Sequence, residues 1–284
     1  MEPVVAKQPA EPFRLQPGDE SESLLLLQSW CAEDGITAGF TTRNASNTAL
    51  HVGDRPEDVI RSRQRVADRL GWSFDAWTCA EQVHGSEVRV ITKENAGSGR
   101  YDRESALPDT DALVTGEPDI LLAMFFADCV PLYFYDPATR SLGLAHAGWK
   151  GTVAEIAVRT VEKMSEAFGA RPSDVRAAIG PSIGGCCYEV DEAVLRHVRP
   201  VLESLPSDCD DAWQERAVRP SGEGRAMLDL KLINRHLMIK AGIMPSSIEM
   251  TTWCTGCRKD LLFSHRMENG RTGRMMSWIG RKTR

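Results

Sequence analysis

The sequence predicts a layered α+β (mixed α/β) fold, and three observations carry that expectation. Amphipathic helical stripes recur along the chain with short strand-like runs between them. The central runs are apolar on both faces, as in strands covered from two sides. Several runs follow one another with no helix between them, so the sheets mix parallel and antiparallel neighbours.

The elements follow in order. Residues 1–22 carry Pro3, Pro9, Pro12 and Pro17 among Glu, Gln and Gly, a composition that reads as a mobile tail ahead of a single domain over 23–284. Asp54 is placed to cap a first helix, with Pro56 in its first turn. Val59, Ile60, Arg63, Val66, Ala67 and Leu70 form its stripe, and Gly71 ends it. Strand-like runs come next at Glu87–Thr92, Ala112–Thr115, Ile120–Ala127, Pro131–Tyr135 and Ser141–His146, and later at Val175–Gly180 and Ile248–Thr252. Thr152 opens a second helix that buries Val153, Ile156, Ala157, Thr160, Val161, Met164 and Phe168. Asp191 caps a third over Val194, Leu195, Val198, Val201 and Leu202. Asp229 caps a fourth over Leu232, Ile233, His236 and Leu237, ending at Gly242. The segments Asn95–Pro108 and Pro206–Arg225 are polar and bear Gly or Pro, and read as surface loops.

Composition removes whole classes of function. A net charge of −6 argues against a general nucleic-acid binder, which needs a basic face. The longest apolar run, Ile120 to Ala127, stops at Asp128, far short of the ~20 residues a membrane helix requires. Glu2 and Glu11 stand where a secretory signal would be basic, and no apolar segment follows them, so the expected location is cytoplasmic. Eight cysteines are too few for a disulfide scaffold of this length; reduced thiols with metal or catalytic roles are the expectation.

Three segments place reactive side chains where the chain leaves a sheet: Gln82-Val83-His84-Gly85, Ala127-Asp128-Cys129 and His146-Ala147-Gly148-Trp149-Lys150. One thiolate and two imidazoles make a three-ligand set for Zn²⁺ with a fourth position open. On spacing alone the plainer reading, packed His and Cys at strand ends, is the commoner one, and no short metal motif links the three. Cys254-x-x-Cys257 resembles half a zinc site or a redox pair. No second Cys-x-x-Cys completes it, and the adjacent Cys186-Cys187 is too constrained to supply the other half with ease. Its thiols are therefore read as lining or supporting a site.

Those three segments belong to a longer ordered set: Phe40-Thr41-Thr42-Arg43, His51-Val52-Gly53-Asp54, Asp109-Thr110-Asp111-Ala112, Gly180-Pro181-Ser182-Ile183, Cys254-Thr255, Phe263-Ser264-His265-Arg266 and Thr272-Gly273-Arg274. In this order they resemble the laccase-domain or multicopper polyphenol oxidase family, also called the YfiH or peptidoglycan editing factor family. The resemblance spans about Gly39 to Ile279. It implies one αββα sandwich built from a duplicated motif, with His84, Cys129 and His146 on one zinc. It also implies phosphorolysis of inosine, adenosine and methylthioadenosine to base and sugar 1-phosphate, with adenosine deaminase as a second activity. Arg43 and Arg266 become candidates for phosphate, since planar guanidinium forks suit that anion. Asp128 is a candidate base, a support for a ligand His, or simply the end of a strand. His51, Lys150, Cys254 and His265 form a second tier. Two departures stand out: Asn44-Ala45-Ser46-Asn47 replaces the family's usual turn, and Lys150 stands where the family often has Arg.

Copper is the alternative metal, because Cu²⁺ outcompetes Zn²⁺ at most N/S sites. Six histidines with no His-x-His pair do not suit a coupled copper centre. Two rival readings remain: a hydrolase with Cys129 as nucleophile and a His as base, and a copper-dependent polyphenol oxidase. A non-enzymatic cell-wall accessory would need an exposed apolar patch, which nothing in the sequence marks. The expected partners are small molecules, purine nucleosides and phosphate, with no nucleic acid and no membrane, acting on a monomer.

Overall fold

The computed structural model describes residues 10–16, 23–32, 35–205 and 212–283, and at its centre two six-stranded sheets pack face to face. The first runs β1 (Phe13–Leu15), β2 (Leu24–Leu27), β3 (Ile36–Thr41), β15 (Met275–Arg281), β7 (Leu121–Phe126), β4 (Trp77–Cys79). The second runs β14 (Ile248–Met250), β10 (Arg176–Ile179), β8 (Val130–Tyr135), β9 (Leu142–Ala147), β6 (Ala112–Thr115), β5 (Val88–Val90). A small antiparallel sheet of β11 (Glu189–Asp191), β13 (Arg225–Leu228) and β12 (Val218–Gly222) sits beside them.

Strand alternation explains why the central runs are apolar throughout. In β7, Leu122, Met124 and Phe126 enter the layer between the sheets, where they join Tyr133, Tyr135, Leu142 and Leu144 of the second sheet. Leu121, Ala123 and Phe125 point the other way, onto α2 (Pro56–Leu70) through Val66 and Ala67, α1 being the single turn Gln28–Cys31 after β2. In the second sheet, Val130, Leu132, Phe134, Ala145 and Ala147 face outward to α4 (Ile156–Phe168), α5 (Glu192–Ser204), α6 (Trp213–Ala217) and α7 (Leu230–Lys240). The order of layers is thus helix, sheet, sheet, helix. Both large sheets carry a parallel pair at one edge, β4 with β7 and β5 with β6, followed by antiparallel neighbours. The second departs at its far edge, where β14 runs parallel to β10.

Helix boundaries hold where a side chain fixes them. Asp191 accepts from the Ala193 N–H and Asp229 from the Leu232 N–H, as the sequence predicts. At α2 the cap is Arg55 rather than Asp54, with Pro56 already in the first turn. The helix expected to open at Thr152 is two: α3 (Trp149–Val153) and α4, broken where Glu155 turns left-handed at φ 57°. Part of the expected Pro206–Arg225 loop is ordered: α6 buries Trp213, whose ring stacks on His236 at 3.6 Å between centroids, and β12 follows. Residues 206–211 of that segment lie outside the described residues. Among the described residues no helix is long and apolar enough to cross a membrane.

The tail expectation is corrected over the part that is described. Residues 1–9 and 17–22 fall outside it, but Phe13–Leu15 is an edge strand paired antiparallel with Leu25–Leu27. Phe13 is fully buried against Tyr133, and the Glu11 carboxylate accepts from Thr251 and Thr252. Deleting residues 1–16 is therefore expected to be destabilising. Phe13→Ala alone should cost about 3 kcal/mol, the low end for a buried Phe, measured by denaturant unfolding; an unchanged midpoint would show that the strand adds nothing.

Candidate metal centre and cleft

The chemistry-bearing segments converge at one end of the paired sheets. The β7–β8 turn carries Asp128 and Cys129, β9 carries His146 directly opposite Pro131 of β8, and the loop before β5 carries His84. Among the described residues, His84, Cys129 and His146 offer ligand atoms that all lie within 4.8 Å of one another. The Cys129 Sγ is 3.9 Å from the His84 Nε2, and the two imidazoles meet edge to face at 4.7 Å between centroids. A tetrahedral ion with Zn–S near 2.3 Å and Zn–N near 2.05 Å needs S···N separations of about 3.6 Å. The Cys129–His84 pair stands close to that spacing, and the third donor atom lies within 4.8 Å of both.

The residue that assembles them is Asp111, to which its sequence motif alone assigns no role. Its buried carboxylate accepts N–H bonds from Val83 (3.1 Å), His84 (3.0 Å) and Gly85 (2.7 Å). Those bonds hold a loop in which Gln82 and His84 both take left-handed φ, 61° and 63°. Gln82 clamps the same loop to β7 by exchanging two hydrogen bonds with the Phe125 backbone. Asp111 also takes a 2.8 Å bond from the His146 Nδ1, which turns the Nε2 of that ring toward Cys129 and His84. The signal was present in the sequence as a carboxylate immediately before the strand that pairs with β9.

Charge is distributed accordingly. Burial alone would raise the Cys129 thiol, but the His146 charge and hydrogen bonds from His146 and His84 outweigh it and bring it down to about 6. Burial alone would lower His146, yet the Cys129 thiolate and Asp111 hold it up at about 9. Burial likewise pushes Asp111 up, and the bonds from His146, Gly85 and His84 keep it below the usual carboxylate range. The centre is a preformed thiolate–imidazolium pair in which a cation can replace the imidazolium proton.

Asp128 does not orient a histidine; Asp111 does. Asp128 sits at φ 87°, with Oδ1 accepting from the Thr255 and Ser264 hydroxyls (2.6 and 2.8 Å) and Oδ2 from the Arg266 N–H (2.6 Å). It ties the loops around the cleft to the β7–β8 turn, and lines the cleft beside Cys129. Arg43 lines neither of the two cavities at the triad. Its guanidinium pairs with Glu268 at 3.0 Å, donates to the Lys259 carbonyl and lies over the Phe263 ring. The Asn44–Asn47 departure has a structural consequence: the Asn47 side chain accepts from the Arg274 N–H at 2.9 Å and so positions that residue.

Two cavities flank the triad. One of about 170 Å³ is lined by His51, His265, Gln82, Phe125 and Arg274 together with all three triad residues. The other, about 290 Å³, is lined by His84, Cys129, Asp128, Gly148, Trp149, Lys150, Tyr188 and Leu230. Trp149 and Tyr188 also border an adjoining hollow of about 350 Å³ that holds Arg225 and Arg266. Arg274 is the second residue to which sequence motifs alone assign no role, although it stands in Thr272-Gly273-Arg274 and lines the cleft. Gly148 is required by close approach: a Cβ there would stand 3.0 Å from the Cys129 Sγ and 3.1 Å from the His84 Cδ2. Gly148→Ala should push these two side chains apart and weaken metal binding by at least about tenfold, read by chelator competition; unchanged affinity would contradict that spacing.

Cys254 is absent from both linings. Instead, the four thiols of Cys186, Cys187, Cys254 and Cys257 form a second cluster, again with all ligand atoms within 4.8 Å. The expectation that the adjacent pair could not readily complement Cys254-x-x-Cys257 is thereby overturned. The parallel β10–β14 pairing brings the two turns together, a contact across 68 residues that spacing could not reveal.

Relatives of known structure and name share this architecture. The family described as multi-copper polyphenol oxidoreductase laccase matches residues 33–282. A Bacillus subtilis protein named purine nucleoside phosphorylase YlmD is 40% identical over 273 residues, covering 92% of this chain and 95% of its own. The Geobacillus stearothermophilus protein of the same name is 42% identical over 257 residues, covering 87% and 91%. The crystal structure of YlmD from Geobacillus stearothermophilus superposes with a TM-score of 0.88 at 38% identity, over 96% of this chain and all of that one. The Bacillus licheniformis hypothetical protein YfiH gives 0.86 at 42% identity, over 95% and 99%. The chain therefore belongs to the multi-copper polyphenol oxidoreductase laccase family.

Proposed function

We propose that this protein is a zinc-dependent purine nucleoside phosphorylase acting on inosine, adenosine and methylthioadenosine, with adenosine deamination as a second activity of the same centre. The observation that carries the reading is the Asp111-oriented triad of His84, Cys129 and His146 between two cavities, in a chain about 40% identical to proteins named for that activity. The donor set fits zinc: one thiol already drawn toward thiolate, and two imidazoles, one of which has its outer nitrogen fixed by a carboxylate. A bound Zn²⁺ supplies Lewis acidity and lowers the pKa of an attached water.

The chain's own residues divide the remaining work. Trp149 and Tyr188 offer aromatic surface for a purine, and Lys150 a charge at the same cavity. Arg274, flanked by His51 and His265, replaces Arg43 and Arg266 as the favoured phosphate contact, because it shares a cavity with the triad. In phosphorolysis the C1′–N9 bond breaks, a phosphate oxygen bonds to C1′, and the departing base takes a proton. The protein's part is to hold the anion beneath C1′ and the base above it.

Arg274→Ala should raise the phosphate requirement for inosine cleavage about ten- to a hundredfold, while phosphate-free conversion of adenosine to inosine stays near wild type. Arg274→Lys should recover part of the loss. Both reactions can be followed by chromatography, and equal loss in both would make Arg274 a nucleoside or structural contact instead. The thiolate–imidazolium character of Cys129 and His146 also favours one competitor, a cysteine hydrolase. Loss of one zinc per chain together with the Cys129 thiol separates the two.

A further inference from the structure

We propose that Cys186, Cys187, Cys254 and Cys257 form a second, structural site for a thiophilic divalent ion of the zinc class, distinct from the triad. The backbone delivers the four thiols deliberately. β10 and β14 are parallel neighbours, and their pairing continues past the strand ends through a Ser182–Cys254 bridge and the Thr255 N–H to the Ser182 carbonyl. Two turns thus leave the same sheet end side by side, one carrying Cys186-Cys187 and the other Cys254-x-x-Cys257.

The sulfur geometry is that of a shared centre. Cys186 lies 3.5 Å from both Cys254 and Cys257, and Cys257 lies 3.4 Å from Cys187. Four thiolates around one zinc at about 2.3 Å stand about 3.8 Å apart along each edge of the tetrahedron. A disulfide would bring one pair to about 2.05 Å and single out a partner. Here each contact distance sits near the tetrahedral edge, and Cys186 and Cys257 each touch more than one thiol. A backbone N–H from Gly184 donates to the Cys254 Sγ at 3.2 Å, which favours a thiolate there. Gly256 has no room for a side chain, since a Cβ would stand 2.8 Å from the Cys187 Cβ and 3.0 Å from its Sγ. Cys254 is buried while Cys186 and Cys257 are exposed, so the cluster opens to solvent on one side.

The consequence reaches the cleft. Tyr188 follows Cys187 and lines the 290 Å³ cavity; Thr255 follows Cys254 and bonds to Asp128. An ion on the four thiols staples together the two turns that position those residues. The site stands independently of the phosphorylase reading.

The test is metal content of protein grown with zinc and purified under reductant without chelator. Wild type should carry about two zinc ions per chain, and both Cys129→Ser and the Cys186→Ser/Cys257→Ser double variant about one. Replacing the metal of the Cys129→Ser protein with cobalt(II) should give the intense thiolate-to-cobalt charge-transfer absorption of an all-sulfur tetrahedral site, lost on adding Cys257→Ser. Cys129→Ser protein without metal, with the four thiols freely titratable or paired as disulfides by intact mass, would overturn the proposal. An empty triad would instead leave wild type and Cys129→Ser with one ion each, which separates this proposal from the functional one.

Discussion

His146→Ala is expected to remove the metal from the triad and to abolish phosphorolysis and deamination together. His146 is buried on β9 and is the triad member whose orientation Asp111 fixes, so on the zinc reading its loss leaves two donors and an unbalanced thiolate. Removing a Lewis acid that stabilises the transition state by several kcal/mol lowers the rate about a hundred- to a thousandfold or more. Inosine cleavage, adenosine conversion and zinc content should be measured on the same preparation, with thermal unfolding as the control for folding. Retention of either activity near the wild-type rate would break the assignment of both to one centre and favour the cysteine-hydrolase alternative.

Asp111→Asn is expected to be damaging as well, although Asp111 lines neither cavity at the triad. Its Oδ1 accepts from the His84 N–H and the His146 Nδ1, and its Oδ2 from the Val83 and Gly85 N–H groups. An amide nitrogen in the second position would face two fixed donors. In the first position it would face the His84 N–H and would donate to the His146 Nδ1, which moves the ring proton onto Nε2, the ligand atom. Either arrangement spoils the centre, by the same tautomer logic that makes a carboxylate essential beside a catalytic histidine. Metal affinity should fall about ten- to a hundredfold by chelator competition, with activity falling in step when metal is limiting. Wild-type affinity would show that the orienting bond is dispensable.

Much of the layered core is legible from local pattern because β7, β8 and β9 are apolar on both faces, and only strands between two layers are. The caps at Asp191 and Asp229 are legible because a short carboxylate before an apolar stripe has one common structural use. The break at Glu155 is not, since the stripe from Val153 to Ile156 runs through it and the left-handed residue carries no glycine signal. Strands β3 and β15 escape the reading for a related reason. Gly39 and Gly280 dilute the strand signal, yet Gly39 is where Trp278 packs onto the neighbouring backbone. Trp213 hides in a polar segment whose order depends on stacking against His236, a contact made only in the folded chain.

The site divides in the same way. The triad could be named because three separate motifs each carry a reactive residue. Its support could not, because Asp111 acts through backbone N–H groups 26 to 28 positions away. Arg43 and Arg266 are guanidinium residues in recognisable motifs, but tertiary partners engage them: Glu268 and the Lys259 carbonyl for the first, the Glu189 carbonyl and Tyr188 ring for the second. Arg274 lines the triad's cavity, its backbone N–H held by Asn47 and its guanidinium by the Thr272 and Gly273 carbonyls.

The most direct test of the account is a phosphorus NMR spectrum of zinc-loaded protein incubated with inosine and inorganic phosphate. The account predicts a sugar 1-phosphate resonance that grows in step with released hypoxanthine and is absent without phosphate. Hypoxanthine released with free ribose and no phosphate ester, or no cleavage by fully zinc-loaded protein, would contradict it.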